Sequence, residues 1–251
     1  MLLPRIFPCL LLKDNGLVKT IQFKNPTYLG DPINAVRIFN TKQVDELIFL
    51  DITATKENRT PNIEFIKKIS EECLMPFTVG GGIKTVEDIR LLLNAGAEKV
   101  AVNTAAILNP QLVTDAARLF GSQAIVVSID VKKIFNQYRV YIQGGQKAMP
   151  FDPVQCAIKM EESGAGEIFL NAIDRDGTMR GYDLDLIKKV TQAVKIPVIA
   201  CGGCGKLEDL KQAVKEAGAS AAVAGSFFVF HGNRRAVLIN FPSKEELEKI
   251  L

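Results

Sequence analysis

Residues Pro76 to Ile107 read PFTVGGGIKTVEDIRLLLNAGAEKVAVNTAAI. The order is a short apolar strand (Phe77 to Val79), a glycine triplet (Gly80 to Gly82), an amphipathic helix, a second strand, and Asn103-Thr104 where that strand ends. A strand that runs through glycines into a helix can hold a phosphate. Backbone N–H groups freed by the glycines, and by the helix N-terminus, point at the anion. Glycine after a strand also serves plain turns, so this stretch alone leaves both readings open.

The stretch has an echo. Pro197 to Val229, PVIACGGCGKLEDLKQAVKEAGASAAVAGSFFV, repeats the design, with Gly202-Gly203 for Gly81-Gly82 and Gly225-Ser226 for Asn103-Thr104. Gly82 and Gly203 stand 121 residues apart, close to half of the 251-residue chain. Two half-barrel repeats, about residues 1–122 and 123–251, are therefore expected, each with one phosphate cradle. The ligand this predicts carries a phosphate at each end; the plainer alternative is a duplicated fold whose glycines only make turns.

Working outward, strand and helix patterns alternate along the whole chain. Arg5–Leu12 is a continuous apolar run, as in a strand buried on both faces. Asp14–Gly30 has no helical period and reads as a long loop, a candidate lid. Asp31-Pro32, Asn109-Pro110 and Asp152-Pro153 open helices. Further strands fall at Glu46–Ile52, Ala124–Asp130, Glu167–Ile173, Val198–Ala200 and Ala221–Ala224, with an inserted hairpin over Val131–Gln143. Eight strands alternating with helices and no linker predict one closed (β/α)8 TIM barrel, a single domain over 1–251.

Composition agrees with a globular protein: 47% of residues are hydrophobic and the net charge is +3. That charge, without a basic block, argues against a nucleic-acid partner. No apolar run is long enough for a membrane span, and five scattered cysteines are expected as reduced thiols in the cytoplasm. Cys201 and Cys204 have CxxC spacing, but they sit in a glycine turn without a second pair or clustered histidines, so neither metal nor cofactor is expected.

In such barrels the active site lies at the C-terminal ends of the strands. The polar residues placed there are Asp51, Asn103, Thr104, Asp130, Asn171, Asp176 and Ser226. Asp130, a carboxylate after five mostly apolar residues, is the candidate general acid or base; the alternative is a helix cap or a loop-fixing salt bridge to Lys132 or Lys133. Asp176-Gly177 is a turn that can offer N–H groups to an anion. His231 reads as a surface or capping residue, which leaves Ser226 without a triad partner. At the opposite end, Arg5, Glu46, Lys99 and Glu167 enter strands one, two, four and six, and their balanced charges suit a closed plug.

These residues together resemble the cyclase subunit of imidazole glycerol phosphate synthase. The likeness runs through RIFPCLLLKD, DELIFLDITA, PFTVGGGIKTVEDIR, FGSQAIVVSID, GAGEIFLNAIDRDGT and IPVIACGG in order. The resemblance implies a lyase-type synthase subunit that forms a heterodimer with a glutaminase-type amidotransferase docked on the barrel bottom. Ammonia then passes a gate, matched by Arg5, Glu46, Lys99 and Glu167, and reaches a bisphosphate substrate at the top. Gly82, Asn103 and Thr104 match one phosphate site, and Asp176, Gly177, Gly203 and Ser226 the other. Lys19 matches a lysine of the flexible first loop, and Asp130 one of two catalytic aspartates.

The second aspartate is missing. The family reads PCLDVKDG at the end of strand one, whereas this chain has Leu11 where that carboxylate belongs, and Asp14 lies three residues further on. Asn171 replaces a usual threonine. PCLLLK, with the tail FFVFHGNRRAVLINFP, resembles a divergent paralogue from bacterial surface-polysaccharide gene sets. That likeness implies a barrel and glutaminase supplying ammonia to a separate ATP-dependent amidotransferase, which puts acetamidino groups on sugars. This is the preferred expectation. The alternatives are a true cyclase of histidine biosynthesis and a non-catalytic ammonia conduit.

Overall fold

The computed structural model describes residues 4–232 and 234–251; Asn233, within the tail motif, lies outside them. Eight strands form the frame: Arg5–Lys13, Leu47–Asp51, Phe77–Gly80, Lys99–Val102, Ile125–Ile134, Glu167–Ala172, Val198–Cys201 and Ala221–Ala224, here strands one to eight. Each pairs in parallel with the next, and strand eight returns to strand one through Arg5↔Ala221 and Phe7↔Val223. The result is the closed (β/α)8 barrel that the alternating pattern predicts.

Strand one shows why its sequence is apolar throughout. Ile6, Leu10 and Leu12 join the core between strands and helices, while Phe7, Cys9 and Leu11 join a separate core inside the barrel. Successive side chains point to opposite faces, and both faces here are dry. The inner core continues with Ile48, Ala101, Val126, Phe169, Ile199, Cys201 and Val223. Helices begin where local chemistry fixes them: Asp31 and Asp152 accept from the N–H two residues on, each followed by proline, and Thr85 with Asp88 makes a capping box.

One expectation changes. Asp14–Gly30 is no loop but a β-hairpin, Gly16–Ile21 against Lys24–Gly30, that continues antiparallel from strand one. Two tight turns make it possible, with Asp14-Asn15 and Gln22-Phe23 all at positive φ. The second hairpin lies where the sequence puts it, strand five running on to Ile134 and returning over Gln137–Ile142. Among the described residues no helix is long and apolar enough to cross a membrane.

Candidate functional site

A cavity of about 470 Å³ opens at the C-terminal end of the strands. Its wall includes Leu11, Lys19, Asp51, Gly82, Asn103, Thr104, Asp130, Asn171 and Asp176. Parity places these residues together: strand one delivers Leu11 inward two residues after Cys9, strand five delivers Asp130 two after Ser128, and Asn171 sits in register with Asp130.

The first cradle is compact. Gly82 adopts φ +67, and a Cβ there would lie 1.9 Å from the Arg59 carbonyl oxygen, so glycine is required by both conformation and space. Its N–H donates to Thr55 Oγ1 at 3.2 Å. Asn103 Nδ2 donates to the Ser128 carbonyl, and the Thr104 hydroxyl donates to Asn103 Oδ1 while accepting from the Gln143 N–H. The second cradle is built alike, but lies outside the lining of this cavity. Gly203, at φ +116, packs on the Gly181 carbonyl, where a Cβ would come within 2.2 Å, and buried Ser226 follows strand eight.

The hairpin that continues strand one closes over the second side. Lys19 Nζ lies 3.4 Å from Asp176 Oδ1, the Thr20 hydroxyl donates to Asp176 Oδ2, and the Gln22 N–H donates to the Asp176 carbonyl. Burial disfavours the Lys19 ammonium, but Asp176, with Cys9 and Cys201 adding to it, outweighs that cost and holds its pKa above the ordinary lysine value. The Asp176 N–H donates to the Ala172 and Ile173 carbonyls. Asp176 thus serves the hairpin rather than offering its N–H to an anion, and Gly177, at φ +70, packs against the Thr20 carbonyl of the same hairpin.

Asp130 has a different environment. It is buried and takes part in no ion pair among the described residues; Lys132 instead donates to the Gly145 carbonyl and lies over the Tyr141 ring. Burial pushes its carboxyl up to about 7, with the Asp176 charge adding to the rise and Ser128 and Lys132 opposing it. A carboxyl poised near neutrality suits proton transfer at physiological pH. Next to it, Asn171 lines the cavity while its Oδ1 is buried without a hydrogen-bond partner, close to Gly202. Asp51 is already committed: its carboxylate receives Arg59 Nη1 at 2.6 Å and the Thr53 and Ala54 N–H groups.

At the bottom, the four strand-entry charges meet. Arg5 bridges Glu46 Oε2 at 2.7 Å and Glu167 Oε1 at 2.6 Å, and Lys99 bridges the same two carboxylates at 3.2 and 3.1 Å. The Thr78 hydroxyl donates to Glu46 from inside the barrel. The thiols of Cys201 and Cys204 are buried; a hydrogen bond that the Cys201 thiol donates to Cys9, together with burial, holds Cys201 well above its ordinary pKa, which keeps it protonated and unreactive.

Sequence reasoning missed Arg59, which pins Asp51, and Arg235, whose guanidinium reaches Ser226. Arg59 follows Asp51 by eight residues in a polar loop, a weak signal; nothing local marks Arg235. The Asn15-Gly16 dipeptide was a readable sign of the hairpin.

A family model described as histidine biosynthesis protein matches residues 5–234. A Pseudomonas aeruginosa relative with the provisional name imidazole glycerol phosphate synthase subunit hisF2 is 50% identical over 245 residues, 97% of this chain and 98% of its own. A Leptospira interrogans relative, provisionally named imidazole glycerol phosphate synthase subunit HisF, is 46% identical over 252 residues, 100% of this chain and 99% of its own. The Alkaliphilus metalliredigens chain named imidazole glycerol phosphate synthase subunit HisF is 45% identical over 232 residues, 92% of both chains. With the model matched from strand one to the tail and relatives aligned along nearly the full length, the chain belongs to the histidine biosynthesis protein family, beside relatives named HisF.

Proposed function

We propose that this chain is the barrel subunit of a glutamine amidotransferase complex and is itself a weak cyclase. A glutaminase subunit docks on the ion-pair ring, and ammonia travels through the apolar interior past Phe7, Ile48 and Phe169 to the mouth. Neutral ammonia crosses such a lining more readily than ammonium, because burying an uncompensated charge is far costlier than burying a small polar molecule. Passage requires the ring to part, since its contacts of 2.6–3.2 Å leave no gap. At the mouth the ammonia serves a separate ATP-dependent amidotransferase that forms acetamidino groups on a sugar for surface-polysaccharide synthesis.

The observation that carries this reading is Leu11. It lines the cavity with Asp130, packs with Cys9 and Val18, and has no titratable group. Closing an imidazole ring on a bisphosphate substrate needs proton transfers at two places, and one positioned acid or base contributes about 10²–10⁴-fold in rate. The alternative, a working cyclase that makes imidazole glycerol phosphate for histidine biosynthesis, is favoured by the names of the relatives and by the retained Asp130 and glycine cradles.

The test supplies ammonium salt and the phosphoribulosyl-formimino cyclase substrate directly to the purified chain and follows imidazole glycerol phosphate. The expected rate is low, and Leu11→Asp raises it once circular dichroism shows the variant folded. Efficient product formation by the unmodified chain, with rescue of a histidine auxotroph lacking its cyclase subunit, overturns the proposal in favour of the alternative.

A further inference from the structure

We infer that Arg235 is a phosphate-binding residue of the second cradle, gripping the far phosphate of a two-phosphate ligand from outside the barrel. This rests on the two-phosphate reading and adds to it a residue from the tail. Two short strands, Phe230–His231 and Ala236–Val237, form a hairpin after strand eight and carry Arg235 back over the barrel mouth. Arg235 Nη2 donates to the Gly177 carbonyl at 3.0 Å and to Ser226 Oγ at 3.3 Å. Those are the cradle residues of two different strands, so the guanidinium spans the site's width. Its plane is braced by the Phe230 ring, 4.7 Å from Cζ.

The hydrogen-bond inventory makes this an anion site. A guanidinium has five N–H groups, and the two contacts use Nη2 alone, so Nε and Nη1 have no hydrogen-bond acceptor among the described residues. Ser226 Oγ accepts from the arginine, which frees its own hydrogen to donate to a phosphate oxygen. A second cation stands close by: Lys19 Nζ, paired with Asp176, lies 2.7 Å from where a Cβ on Gly225 would sit. Arginine's planar fork matches two oxygens of one phosphate. Arg234, the exposed neighbour, makes none of these contacts and provides the control for bulk charge.

The experiment titrates inorganic phosphate into the full chain and follows backbone amide shifts at each cradle separately. In the parent, shifts are expected at Gly82 and Thr104 and at Gly203 and Ser226. Arg235→Ala should weaken the Gly203–Ser226 site about 10- to 100-fold, the size of a lost charge-assisted contact, while the Gly82–Thr104 site stays as it was. Arg235→Lys should recover part of the loss, and Arg234→Ala should change neither site. Unchanged affinity at Gly203–Ser226 in Arg235→Ala overturns the inference and leaves the two-phosphate reading standing. Shifts at neither cradle in the parent overturn both.

Discussion

Asp130→Asn is expected to gain stability, relative to the parent, as the pH is raised from 5 to 8. The carboxyl is buried within strand five, in the wall of the cavity and near Asp176, and its pKa is pushed from an ordinary 3.8 to about 7. Between about pH 4 and about pH 7, the folded chain therefore keeps a proton that the unfolded chain has released. Stability falls as pH rises through that window, by about 1.4 kcal/mol per pH unit, and levels off above the folded pKa. Over the two units from pH 5 to pH 7 this amounts to roughly 2–3 kcal/mol. Asparagine has the same shape and does not titrate. Urea denaturation of both proteins at pH 5 and pH 8 isolates the contribution as a double difference, expected at roughly 2–3 kcal/mol in favour of asparagine at pH 8. An equal difference at the two pH values would refute the reasoning. It would mean that the carboxylate stays charged in the folded chain without cost, and Asp130 would lose its standing as a near-neutral proton donor.

Lys99→Met should destabilise the barrel by roughly 2–4 kcal/mol in urea, because Glu46 and Glu167 would then share Arg5 alone; this is set below the value for a fully buried pair because Arg5 keeps some solvent contact. A loss under about 1 kcal/mol would show the ring to be ordinary solvated charge. Gly82→Ala should lower the thermal midpoint and abolish phosphate-induced shifts at Thr104, since its Cβ would collide with the Arg59 carbonyl; an unaltered midpoint would show that the turn adapts.

The sequence alone determined the barrel, because that information is local and periodic. Apolar runs of strand length, capping residues such as Asp31 and Thr85, and glycines at positive φ such as Gly82 each act within a few residues of themselves. The doubled glycine turn and the strand-entry charges were legible for the same reason: strand parity assigns a residue to an end and a face of the barrel before any contact is known. Leu11 was legible as a missing carboxylate only through the family resemblance, not from the strand pattern itself.

What tertiary structure decided was the partner of each group. That Asp176 holds Lys19 and Thr20, that Arg59 occupies Asp51, and that Arg235 lies on Ser226 depend on contacts made when distant segments fold over one mouth. The pKa of Asp130 belongs to the same class. A carboxylate's sequence neighbours, here Lys132 and Lys133, suggest an ion pair, but Lys132 is drawn to Gly145 and Tyr141 while burial in the closed barrel sets the proton affinity. Desolvation is a property of everything packed around a group, and no stretch of chain carries that by itself.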